Sequence, residues 1–85
     1  MSGKDMRIVG RVRGILGKHF IELDELRISC VRGDVRILGT LKRMKLLEDR
    51  FPITDKFIND LKHEIKRIKD VRHIRITDKG EGDEA

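Results

Sequence analysis

Apolar and polar residues change period several times along this chain, and each change predicts an element. In "RIVGRVRGIL" (residues 7–16), Ile8, Val12, Ile15 and Leu16 fall at i, i+4, i+7 and i+8, one face of a helix, with Arg7, Arg11 and Arg13 elsewhere around it. The spacing predicts a short amphipathic helix that Gly17 ends as the C′ residue. Gly10 and Gly14 each weaken it by about 1 kcal/mol relative to Ala. A strand is the alternative, since Val12 lies between two arginines.

From Leu26 to Leu41 the period becomes two. Leu26, Ile28 and Cys30 share one side of a strand, and after "RGD" so do Val35, Ile37, Gly39 and Leu41. A two-residue turn puts both sets on one face; a three-residue loop puts them on opposite faces. The pattern therefore predicts a β-hairpin with a turn at Gly33-Asp34 (type II′) or at Arg32-Gly33 (type I′, if Arg32 accepts positive φ). "LKRMKLLEDRFP" is read as an irregular connection. Met44, Leu47 and Phe51 suggest a helical turn or two before Pro52, and the second strand has the option of running on to Met44.

"ITDKFINDLKHEIKRIKD" carries a fuller helix signature. Thr54 is an N-cap, Asp55 faces the positive helix end, and Ile53 and Ile58 fit the N′ and N4 positions of a hydrophobic staple. Phe57, Ile58, Leu61, Ile65 and Ile68 form the apolar stripe. "VRHIRI" (71–76) predicts a closing strand with Ile74 and Ile76 inward and His73 and Arg75 outward. The expected fold is α+β in the order αββαβ, two helices on one face of a three-stranded sheet. One domain is expected over residues 7–77, between a disordered N-terminus (1–6) and a disordered acidic tail (78–85).

Eighty-five residues allow one small core, and with 38% hydrophobic, 41% charged and only 4% aromatic residues that core is aliphatic. Net charge is +5. Because "KGEGDEA" contributes one Lys against three acids, residues 1–78 carry +7, a balance that favours an acidic partner. Cys30, the one cysteine, has no internal disulfide partner, "MSGKDMRIVG" lacks a secretory h-region, and no apolar run approaches the roughly 20 residues of a membrane span. A cytoplasmic location follows as the expectation, with peripheral membrane contact open to it.

The order of elements, with "IVGRVRGIL", "LRISCVRGDVRILGTL", "FINDLKHEIKRI" and "DVRHIRI", resembles the BON domain, a small bacterial αββαβ module. The resemblance covers residues 7–76: Gly33 matches the family's hairpin glycine, Val35 and Ile37 its strand positions, Gly39 its second glycine and Val71 its closing valine. It implies a non-enzymatic adaptor that binds phospholipid surfaces or partner proteins.

Other chemistry is weakly signalled. "GRVRGILGKH" fails as a phosphate loop: Val12 stands where a Walker A motif needs Gly, and His19 where it needs Ser or Thr. "HEIKR" (63–67) has Arg67 in place of a zinc helix's second His, so neither metal nor cofactor is expected. The parity of Cys30 with Ile28 points the thiol into the core. Turn chemistry accounts for the Arg-Gly-Asp triplet without an adhesive role.

Parity also defines a candidate binding surface on the opposite sheet face: Arg27, Ser29, Val31, Arg36, Leu38, Thr40, His73 and Arg75. Lys56, Lys62, Lys66, Arg67 and Lys69 of the second helix give another basic surface, and a plain solvated face is the ordinary reading of both. The expected function is a BON-like module associating with anionic phospholipid or a protein partner. The alternative is a small basic nucleic-acid-binding protein, although no Phe falls on the sheet face to stack a base; self-association is a further option.

Overall fold

The computed structural model describes residues 3–47 and 50–77. Helix α1 (Gly3–Lys18) leads into strands β1 (Arg27–Val31) and β2 (Asp34–Leu38), and a 3-10 turn at Lys45–Leu47 precedes helix α2 (Asp55–Lys66) and strand β3 (His73–Thr77). The α+β order αββαβ is as the periodicities predict. β1 and β2 pair antiparallel, and α2 is the crossover that lets β3 lie parallel to β2, in the order β1-β2-β3.

Alternation sets the two faces. Ile28, Cys30, Val35, Ile37, Ile74 and Ile76 point toward the helices, where Ile8, Val12 and Leu16 of α1 meet Leu61 and Ile65 of α2 in a single apolar cluster. Val12, Leu16, Cys30, Val35, Ile37 and Ile65 have no exposed surface. Burying each aliphatic side chain contributes roughly 1.5–3 kcal/mol.

The hairpin turn is type I′. Arg32 (φ 53) and Gly33 (φ 83) are its two central residues, so Arg32 does accept the left-handed conformation. Gly33 is also fixed by proximity, since a Cβ there would lie 2.5 Å from the Asp70 carbonyl oxygen. Its own carbonyl accepts from the backbone N–H of Arg72 (2.8 Å), which docks the start of β3 on the turn.

α1 differs from expectation at both ends. It begins at Gly3, so residues 3–6, expected outside the domain, form its first turn. The cause is tertiary: the buried Asp5 carboxylate accepts from the N–H groups of Arg32 (3.2 Å) and Gly33 (3.3 Å) and from the Cys30 thiol (3.4 Å). At the other end Gly17 is still helical, and the left-handed residue is Phe20 (φ 61). The Ile21 N–H donates to the Leu16 carbonyl (3.0 Å), the long closing bond of a Schellman end, and Ile21 is buried. The tail from residue 78 lies outside the described residues.

Thr54 caps α2 as expected, its hydroxyl accepting from the Phe57 N–H (3.1 Å). The connection before it is anchored by Arg43, which forms a bridge opposite Ile21, donates to the carbonyls of His19 (2.6 Å) and Phe51 (2.5 Å), and lies over the Phe57 ring (4.4 Å to the centroid).

Candidate functional site

The open face of the sheet is a lattice of three rows set by strand register. Arg27, Leu38 and Thr77 form one row, Ser29, Arg36 and Arg75 the next, and Val31, Asp34 and His73 the third. All eight residues proposed for this surface from parity are exposed. Seven of them belong to the lattice. Thr40 lies beyond it, past Gly39, whose φ of 124 ends the ladder and whose Cβ would meet the Glu25 carbonyl oxygen at 2.4 Å.

Two members of the face were not singled out from sequence. Thr77 lies one residue past the predicted end of the closing strand, and Asp34 falls in the turn in one of the two predicted placements and in the strand in the other. Asp34 bridges Arg36 along β2 (3.6 Å). The face therefore presents three arginines and a histidine around one carboxylate, with Val31 (62% exposed) and Leu38 (47%) between them. It carries no Phe, Tyr or Trp ring, and none of the three concavities described here is lined by it.

The second predicted set does not stay together. Lys56, at the start of α2, pairs with Asp60 (3.8 Å), and Lys62 and Lys66 share a face about 100° around the helix from it. Arg67, the C-cap, and Lys69, in the following turn, instead meet α1. With Lys4, Arg7 and Arg11 they line a concavity of about 220 Å³. A larger one of about 350 Å³ adjoins it through Lys4, Ile8 and Asp70 and reaches Arg32 and Arg72 at the hairpin turn. The α1 cations were visible in the sequence only as the polar side of a helix; the turn after α2 brings Arg67 and Lys69 to them.

Residues with catalytic potential are placed otherwise. Cys30 is fully buried, and burial together with the Asp5 carboxylate pushes its thiol pKa up, away from a reactive thiolate. Glu64 accepts from Lys18 and lies 2.9 Å from His19 Nε2, an interaction that holds its carboxyl below the usual range. His19 in turn packs edge-on against Phe57. Among the described residues no three His, Cys, Asp or Glu side chains group as metal ligands, and no helix is long and apolar enough to cross a membrane. No family model, curated protein or solved structure matches this chain at a significant level.

Proposed function

We propose that this chain is a BON-like, non-enzymatic binding module that associates with anionic phospholipid surfaces through the open face of its sheet. The observation that carries the reading is the lattice itself: Arg27, Arg36 and Arg75 displayed around Val31 and Leu38 on a surface that lines none of the three concavities described above. A lattice set by three neighbouring strands suits an extended partner better than a small molecule. Exposed aliphatics between cations suit an interface that is anionic outside and apolar beneath. The glycine positions support the BON resemblance, since Gly33 and Gly39 both hold positive φ against a neighbouring carbonyl.

Each cation near an anionic membrane contributes about 1 kcal/mol, so three arginines give weak, reversible, composition-dependent attachment. Vesicle co-sedimentation at physiological salt tests this. Vesicles of phosphatidylcholine with phosphatidylglycerol should retain the protein, and phosphatidylcholine alone should not. The double substitution Arg36→Gln/Arg75→Gln should weaken retention by about 30-fold, as loss of roughly 2 kcal/mol implies. Equal retention on both vesicles, or none, removes the lipid reading. Binding of a mixed-sequence oligonucleotide that falls steeply with salt would favour the phosphodiester alternative instead.

A further inference from the structure

We infer that the cleft between α1 and the turn after α2 is a second, separate anion site, built for a compact ligand bearing two or more phosphate groups. Its walls come from two elements. Lys4, Arg7 and Arg11 recur at i, i+3 and i+7 along α1, and Arg67 and Lys69 face them from the end of α2. Five cations against the single carboxylate of Asp70 leave this 220 Å³ concavity with a charge of +4.

Folding alone does not account for that arrangement. Lys4 stands in the first turn of α1, where the helix dipole disfavours a cation. Arg7 and Arg11 form a like-charge i,i+4 pair, which destabilises a helix by a few tenths of a kcal/mol. None of the five makes an ion pair with a described residue. Concave walls with an excess of one sign focus potential and raise local counter-ion concentration, so a bound polyanion offsets the mutual repulsion of these cations.

The lining also restricts the ligand. Its apolar floor is Ile8 and Ile68, with no aromatic ring to stack a base. Each concavity is near or below the lower end of the roughly 300–1,000 Å³ typical of small-molecule sites, so a cluster of phosphates fits better than a large cofactor. The same chemistry is offered by a free polyphosphate or by a multiply phosphorylated lipid headgroup.

A ¹H–¹⁵N titration of the full chain with inorganic tripolyphosphate at physiological salt is the test. Saturable shifts should centre on Lys4, Arg7, Arg11 and residues 67–70, and the melting temperature should rise. Arg7→Gln/Arg11→Gln replaces two exposed helix residues and should lose at least tenfold in affinity, whereas Lys56→Gln and the sheet-face double variant should lose none. Shifts that do not saturate, or an affinity untouched by the α1 variant, would overturn the proposal. A second arm compares a bisphosphorylated inositol headgroup with its soluble short-chain lipid. Tighter lipid binding assigns the site to a membrane ligand and equal binding to a free one, while failure of both with tripolyphosphate also negative overturns the site. Vesicle docking by the sheet face is read from different residues, so either proposal can fail without the other.

Discussion

The two ends of α1 treat their cations differently. At its C-terminal end Lys18 and His19 both reach Glu64 of α2, and this contact clamps the two helices together. At its N-terminal half Lys4, Arg7 and Arg11 face Arg67 and Lys69, and the one carboxylate lining that cleft, Asp70, makes no ion pair with them. One helix thus meets its neighbour through an opposite charge at one end and through like charges at the other. Glu64 shows that this fold accommodates an acid where the helices must be held. Among the described residues only Asp70 sets a negative charge against the five cations at the other end, an excess better understood through a ligand than through stability.

The strongest way to break the contrast is Gly33→Ala. Gly33 joins the hairpin turn to the start of β3 and lines the larger concavity, and an added Cβ would lie 2.5 Å from the Asp70 carbonyl oxygen. Left-handed strain alone costs on the order of 1–3 kcal/mol. Separation of Asp70 from the turn adds to it. A loss of about 3 kcal/mol or more is expected in urea unfolding, with the m-value unchanged. Chemical shifts of the native variant should move around Asp5 and residues 67–73 while the Lys18–Glu64 end stays in place. A loss under 1 kcal/mol would mean that the turn is not held against Asp70.

The fold was legible where a local rule and a long-range requirement coincide. Thr54 with the staple of Ile53 and Ile58 marks α2, and alternation on both sides of Arg32-Gly33 gives the hairpin and its inward face. The start of α1 was not legible, because its reason lies more than 20 residues away: Asp5 is buried to hold the N–H groups of Arg32 and Gly33. Ile21 was missed as a core residue for a similar reason, being placed by a left-handed Phe20 that no propensity favours. The sheet face followed directly from parity, since strand register alone gathers Arg27, Arg36 and Arg75. The cleft did not, because two stretches of the chain more than 50 residues apart must meet to form it.

A smaller effect is expected at the paired end. Glu64 is held below the ordinary carboxyl pKa of 4.5 by the Lys18 hydrogen bond first and His19 second, against the opposing effect of burial. Since the folded value is the depressed one, the contribution is complete at pH above the unfolded value and is lost as pH falls through the folded value. Glu64→Gln should cost about 1 kcal/mol at neutral pH, as suits a partly exposed, charge-assisted pair. Its difference from the parent protein should narrow below about pH 4.5. Denaturant midpoints for both proteins at pH 7 and pH 3 check this, and a difference independent of pH would assign the loss to packing.

The smallest stability change and the sharpest functional one should come together in Asp70→Gly. Asp70 holds φ 76, a conformation that costs Asp, which adopts it more readily than most residues with a Cβ, about 1 kcal/mol and glycine almost nothing. Glycine also gives up more freedom on folding, by about 0.4–1 kcal/mol, so the two effects nearly cancel. Stability should change by about 0.5 kcal/mol or less, in the stabilising direction. The cleft, in contrast, loses its one acid, and its charge rises from +4 to +5. Tripolyphosphate should then bind more tightly, by a factor that shrinks as salt is raised, because the added attraction is Coulombic and screened. Calorimetric titration at low and high salt reads both parts of the expectation. Unchanged affinity beside unchanged stability would place the Asp70 carboxylate outside the field of the cleft, and weaker binding would make it a group that orders Lys4 or Lys69 rather than one that opposes the ligand.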